Sequence, residues 1–361
     1  MAYGAPVKSI DPQILAGVYP SKINDINEKG EAVGYSNNTW WYKKAVKWTT
    51  NGEMIDLGFL PGTNMSVANG INNNGDIVGY CGQYITLRGG GISDMNYRAT
   101  MWTAEGEIRD LGTLPGVESI AMEINNHREV VGYTYLRWIE HGETYDSSVR
   151  MVYHAILWTA KDGVRDLGAL PGGNYSSAYD INDRGQIVGY SRNGTGESGL
   201  FHASMWTRDG AITDLGLFPN HRSSIAYGIN EQSQVVGYCS ITTSAISYRS
   251  QAFLWTLKNG MTLLETIPDE YSYANGINDM GQIVGYSYRR ASDNSAVYEA
   301  CLWTAKGNLI KLEPLRGFDF AQAFKINNKG QIIGSAYAYV YMPYLTLIGH
   351  PNIKWDSRHN T

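Results

Sequence analysis

Apolar and polar residues alternate along this chain in short bursts separated by turn residues, without sustained helical periodicity. One stretch shows the pattern well. Ser177-Ala178-Tyr179-Asp180-Ile181-Asn182 is a run of small and apolar residues. Asp183-Arg184-Gly185 then reads as a tight turn, with glycine where positive φ is needed. Gln186-Ile187-Val188-Gly189-Tyr190-Ser191 is β-branched and reads as a second strand. His202-Ala203-Ser204-Met205-Trp206-Thr207 gives a third, Asp209-Gly210 a hairpin signal, and Ala211-Ile212-Thr213-Asp214-Leu215-Gly216 a fourth.

The pattern repeats. A motif of the form Ile-Asn-x-x-Gly-x-x-Val-Gly recurs seven times, beginning at Ile26, Ile71, Ile124, Ile181, Ile229, Ile277 and Ile326, with Arg128 and Ser233 standing for the glycine and Ile333 for the valine. A self-similar period of about 50 residues marks stacked or radially arranged units. Four antiparallel strands per unit predict a propeller blade. The expectation is an all-β, seven-bladed β-propeller of four-stranded antiparallel blades, forming a single domain over residues 1–361. Units begin near residues 21, 64, 117, 174, 222, 270 and 320. The last unit stops after its third strand, at Lys354-Trp355, while Asp11 and Leu15 match the fourth-strand positions Asp166 and Leu170. Residues 7–15 are therefore expected to complete the C-terminal blade and close the ring, leaving no unpaired edge.

Repetition also removes candidates for chemistry. A tryptophan recurs in the third strand, at Trp48, Trp102, Trp158, Trp206, Trp255, Trp303 and Trp355, which is the filler expected between adjacent sheets. The fourth-strand acids Asp56, Asp110, Asp166, Asp214, Glu265 and Glu313 recur too, and are expected to accept hydrogen bonds from turn amides. The repeated Asn with Gly three residues on is turn chemistry. A calcium loop would need several carboxylates at alternating positions, so no metal is expected.

The unit combines Ala-x-x-Ile-Asn-x-x-Gly-x-Ile-Val-Gly, His-Ala-x-Leu-Trp and Asp-Leu-Gly-x-Leu-Pro-Gly, and resembles the HAF repeat of bacterial proteins. The namesake triplet survives at His154-Ala155-Ile156 and His202-Ala203-Ser204, with Gln251-Ala252-Phe253 as a variant. That resemblance implies an extracellular protein and no single activity. Secretion is therefore the expectation, with the cytoplasm as the alternative because Met1 to Ile10 lacks a signal-peptide core.

Composition narrows the classes. The net charge of −5 and the 17% charged fraction give no bias towards nucleic acid. No apolar run approaches the length of a membrane span. Cys81, Cys239 and Cys301 form neither a disulfide framework nor a zinc pair. No cofactor is expected, and a monomer is.

Rigid scaffolds place function on variable loops, here the connections between strands two and three and from strand four to the next unit. These loops gather Tyr, Arg and Trp: Trp40, Trp41, Tyr135, Arg137, Tyr248, Arg249, Tyr288 and Arg289, with Tyr273 and Phe318 nearer the channel. Aromatic faces pack on sugar C–H groups, and arginine forks onto carboxylates or sulfates. Carbohydrate binding on this face is the first reading, the ligand a glycan or polysaccharide of acidic or neutral character. The alternative is a polysaccharide lyase cleaving a uronate-containing chain by β-elimination. It would need a carboxylate neutraliser, a base and an acid, for which Arg222, His221 and Tyr175 or Tyr271 are the candidates. A protein-interaction scaffold is the third reading.

Overall fold

The computed structural model describes residues 21–37, 42–86, 92–114, 118–138, 150–194, 200–244, 247–268, 270–291, 295–314, 318–337 and 345–349. It is an all-β propeller. Among the described residues six sheets are four-stranded antiparallel blades in sequential order, and a seventh sheet has three strands. The first blade pairs Ser21–Ile26, Ala32–Asn37, Lys43–Trp48 and Met54–Asp56. The seventh sheet pairs Phe320–Ile326, Ile332–Tyr337 and Leu345–Gly349. Among the described residues the expected seven four-stranded blades are thus corrected to six, with a smaller seventh sheet. The physical reason is that the Ile-Asn motif is carried by the first two strands, which the seventh sheet shares with the others, so the motif counts sheets and not four-stranded blades. The proposed closing strand, residues 7–15, lies outside the described residues. No helix among the described residues is long and apolar enough to cross a membrane.

Packing follows the repeat. Trp48, Trp206 and Trp303 are fully buried, each in its own inter-sheet cluster. Glu265 accepts the Leu309 amide of the next blade at 3.2 Å, whereas the four fourth-strand aspartates accept from turn amides, as where Asp166 Oδ1 takes the Gly168 N–H at 2.7 Å and Asp214 Oδ1 the Gly216 N–H at 2.7 Å. The same carboxylates meet the strand-three position, where His154 Nδ1 lies 2.7 Å from Asp166 and His202 Nδ1 2.8 Å from Asp214. Burial raises the two acids, but these imidazole and amide bonds outweigh it and hold both below the usual carboxylate range. His154 and His202 are thereby engaged in joining strand three to strand four.

The repeated asparagine does more than shape its own turn. Each side-chain oxygen accepts amides of its own turn; Asn230 Oδ1 takes Gln232 N at 3.1 Å and Gln234 N at 2.9 Å. Each side-chain amide then donates to the backbone carbonyl of the equivalent asparagine in the next sheet. The relay starts at Asn27 and ends where Asn327 Nδ2 donates to Asn27 O at 3.0 Å. A second relay uses the following residue. The Glu28 amide donates to the Asn73 side chain at 2.9 Å, and the series returns through Asn328 N to Glu28 Oε1 at 2.8 Å. Every member of that second ring is Asn, Asp or Glu, because each position must offer a side-chain acceptor.

The inner strand of every sheet carries a bulge three residues before the asparagine, for example at Tyr227 between Ala226 and Gly228. A bulge adds one unpaired residue and re-aims the side chains beside it. The glycine of Val-Gly-Tyr faces this bulge. A Cβ on Gly237 would lie 1.9 Å from Ile225 O, so only glycine permits the approach.

Candidate functional site: the axial channel

The residue that follows each bulge differs from sheet to sheet, and Asp25, Glu123, Asp180, Gly276 and Lys325 at that position line a central cavity. Read from the long-loop face to the turn face, the channel has an aromatic mouth and then a charged waist.

The mouth is built from tyrosines of blades four to six. Ring contacts run without a break from Tyr190 to Tyr179 (5.8 Å between centroids), to Tyr227 (5.3 Å) and to Tyr238 (5.8 Å). They continue to Tyr273 (4.9 Å), Tyr286 (4.8 Å, stacked) and Tyr298 (5.8 Å), then to Tyr288 (5.1 Å) and Tyr271 (5.4 Å). All nine are half-buried, so each keeps an edge or face open. Burial first, then neighbouring tyrosines, push the Tyr190 and Tyr227 hydroxyls above the ordinary phenol range. They stay neutral and able to donate. A second cluster joins Tyr133, Tyr135, Tyr153 and Tyr175, with the Arg192 guanidinium 5.4 Å over Tyr175.

The waist is ionic. Lys325 Nζ reaches from the seventh sheet to Glu123 Oε2 of blade three at 2.8 Å and to Asp180 Oδ1 of blade four at 3.7 Å. Asp25 Oδ2 accepts the Ile71 amide at 2.8 Å, and Asp180 Oδ2 the Ile229 amide at 2.9 Å. Burial is the main cause that raises all three carboxyls, taking Asp25 to about 6. For Lys325 burial acts in the opposite sense, but the surrounding carboxylates prevail and hold it above the usual lysine range. Gly70 makes room: a Cβ there would meet Glu123 Oε1. These four side chains border a cavity of about 210 Å³ that opens towards the asparagine rings. Among the described residues no group of His, Cys, Asp and Glu is arranged to hold a metal.

The residues singled out from the sequence are dispersed around this channel. Tyr271, Tyr273 and Tyr288 belong to the continuous aromatic arc, and Tyr135 and Tyr175 to the second cluster. Arg289 is paired with the buried Glu270, Nε to Oε1 at 3.4 Å. Arg249 sits on an outer strand opposite Ile241, and Phe318 is half-buried ahead of the seventh sheet's inner strand. Arg137 and Tyr248 are placed by backbone alone, in strands Val130–Trp138 and Ser247–Thr256. Trp40 and Trp41 lie outside the described residues. His221 has both ring nitrogens near acceptors, Nδ1 at 3.0 Å from Pro219 O and Nε2 at 3.2 Å from Gln251 Oε1. Arg222 is exposed and donates its backbone amide to Ser240 O at 2.7 Å. Among the described residues no hydrogen bond or ring contact joins His221 to Tyr175 or Tyr271.

The family model described as "Protein of unknown function (DUF3466)" matches residues 137–340, more than half of the chain. The chain belongs to the DUF3466 family. The HAF resemblance is corrected accordingly. Its motifs, the Ile-Asn turn and the Asp-Leu-Gly acid, are consumed by hydrogen bonds that build the blades, so they do not distinguish one such repeat family from another. No curated protein matches this DUF3466 chain. Solved structures do. A puromycin hydrolase aligns over 96% of this chain and 55% of its own, at 13% identity and TM-score 0.57. Virginiamycin B lyase from Staphylococcus aureus aligns over 94% of this chain and 98% of its own, at 11% identity and TM-score 0.50. An ulvan lyase of polysaccharide lyase family PL25, bound to -[GlcA(1-4)Rha3S]-, covers 92% of this chain and 94% of its own, at 10% identity and TM-score 0.49. At these identities the likeness concerns the propeller fold alone.

Two features of this DUF3466 channel were missed in the sequence. Tyr190, Tyr238 and Tyr286 were hidden because the strand-two tyrosine is part of the repeat, and Tyr179 and Tyr227 because they occupy the strand-one bulge, whose direction the pairing alone sets. The waist was hidden because it needs one column of the repeat, two residues before the asparagine, to be read across the units. That column is Asp25, Gly70, Glu123, Asp180, Gly228, Gly276 and Lys325. Its variation within an otherwise constant motif was the available signal.

Proposed function

We propose that this protein is a carbohydrate-binding propeller that receives a glycan at the aromatic mouth of its channel. The observation that carries the reading is the unbroken arc from Tyr190 to Tyr271, half-buried rings drawn from three adjacent blades. Tyrosine offers an apolar face for sugar C–H groups and a hydroxyl for hydrogen bonding, at low cost in side-chain entropy. Rings held by one another are already ordered, so less is lost on binding. The test is a glycan array followed by calorimetry on the best binder. Tyr273→Ala and Tyr288→Ala should each weaken that binder by roughly five- to a hundredfold, since a truncated aromatic anchor costs about 1–3 kcal/mol. An array without a binder above background refutes the reading, and so does a binder indifferent to both substitutions.

A further inference from the structure

Each bulge holds one residue, directly before the waist position, and neighbouring bulge residues meet around the ring. Asn24 Nδ2 lies 3.5 Å from Asn69 Oδ1, Asn69 Nδ2 3.9 Å from Met122 Sδ, and the Tyr179 ring 5.3 Å from the Tyr227 ring. They form a layer between the aromatic arc and the ionic waist. Its chemistry is divided. Blades four and five supply Tyr179 and Tyr227, which belong to the arc, whereas blades one, two and six supply Asn24, Asn69 and Asn275. Each asparagine donates through Nδ2 to a backbone carbonyl of the next sheet, Asn24 to Ala68 O, Asn69 to Ala121 O and Asn275 to Ala323 O, all at 2.8 Å. A carbonyl only accepts, so the nitrogen must be the atom turned to it and Oδ1 is the atom left over. Among the described residues nothing donates to Asn24 Oδ1 or Asn275 Oδ1, and Asn69 Oδ1 receives only the long contact from Asn24. All three residues are half-buried, and the Asn24 and Asn275 oxygens remain open to solvent.

The bond at Nδ2 holds each carboxamide in one orientation and polarises it, which strengthens Oδ1 as an acceptor. An acceptor fixed in place beforehand loses little order when a donor binds. The sheets follow one another round a ring that the Asn327 to Asn27 bond closes, so blades one and two stand across from four and five. A sugar ring has two kinds of surface, C–H faces and a rim of hydroxyls. Tyr179 and Tyr227 suit the first. The carboxamide oxygens suit the second, because a hydroxyl is a donor.

We propose that Asn24 and Asn69, with Asn275, form a hydroxyl-recognition subsite below the aromatic mouth, where Oδ1 accepts from a sugar whose C–H face lies on Tyr179 and Tyr227. This deepens the carbohydrate reading and rests on it for the class of ligand. It gives the three asparagines a role beyond tying sheets together, which their nitrogens perform.

The probes are methyl α-glucoside, methyl α-mannoside and methyl α-galactoside, their monodeoxyfluoro analogues, and myo-inositol. Each is titrated into protein labelled with 15N and 13C, whose asparagine side-chain amides are assigned through bonds to their own backbone. The expected result is a saturable shift of the Asn24, Asn69 or Asn275 side-chain resonance with at least one glycoside. Fluorine is close to a hydroxyl in size and cannot donate. Fluorination at the recognised position should therefore weaken binding about three- to tenfold, as expected for one neutral hydrogen bond, and cancel that shift. Side-chain resonances unmoved by every probe overturn the proposal, and so does equal affinity across the fluorinated series. An array glycan that binds through Tyr273 and leaves all three asparagines unmoved overturns the subsite alone. Shifts with myo-inositol while no glycoside or array glycan binds uphold the subsite and overturn the carbohydrate reading.

Discussion

Replacing Asn230 tests whether the repeated asparagine only shapes its turn or also ties neighbouring sheets together. Asn230 is 3% exposed and makes four side-chain hydrogen bonds. Two are received by Oδ1 from Gln232 N and Gln234 N within its own turn. Two are donated by Nδ2, to Gln234 Oε1 at 2.8 Å and to Asn278 O of the next blade at 3.0 Å. At about 1 kcal/mol per bond, Asn230→Ala should cost about 4 kcal/mol, a large part of a typical 5–15 kcal/mol stability. Asn230→Asp separates the two roles. It keeps both turn acceptors, loses both donors, and sets a carboxylate oxygen against Asn278 O and Gln234 Oε1. A loss of at least about 2 kcal/mol at neutral pH is expected. That loss should shrink on acidification, because the protonated acid regains a donor and its folded-state pKa is raised by the surrounding acceptors. Urea unfolding followed by tryptophan fluorescence reads the loss, since the third-strand tryptophans Trp48, Trp206 and Trp303 are fully buried. An Asn230→Asp protein within about 0.5 kcal/mol of wild type refutes the inter-sheet role, that being the scatter of neutral surface substitutions.

Other consequences follow from the channel and the bulges. Gly237→Ala places a Cβ 1.9 Å from Ile225 O and must open the bulge, so a loss of roughly 3 kcal/mol or more is expected, measured by denaturation or by collapse of soluble yield. Asp25 has a folded pKa raised from 3.8 to about 6. A raised carboxyl contributes stability below its unfolded pKa and loses it as pH rises through the folded one, so stability should fall between pH about 4 and about 6. Asp25→Asn keeps an acceptor for the Ile71 amide and should flatten that fall, gaining about 1–3 kcal/mol at pH 7; an unchanged pH profile would show that Asp25 does not titrate there.

The propeller was legible because its parts are local. A turn, a β-branched strand and a buried tryptophan each leave a mark within a few residues, and their recurrence multiplies a weak signal. The fourth-strand acids were legible for the same reason, since Asp166 and Gly168 stand two residues apart. His221 shows the limit. Its position marked it as unusual, but its partners Pro219 O and Gln251 Oε1 include one thirty residues away in another strand. That the seventh sheet has three strands among the described residues was not legible either, because the Ile-Asn motif lies in the first two strands, which all seven sheets share.

By itself, the sequence determined the class of fold and the order of strands within each repeat. These depend on side-chain alternation and turn chemistry, which act over a few residues. Tertiary structure decided what the channel contains. Lys325 meets Glu123 across 202 positions, and Asn327 meets Asn27 across 300. Such contacts exist only once the sheets are arranged around an axis, because ring geometry brings equal positions of different repeats together. The tyrosine arc, the ionic waist and the contact of Asn24 with Asn69 all arise this way, from single residues that the repeat presents to a common axis.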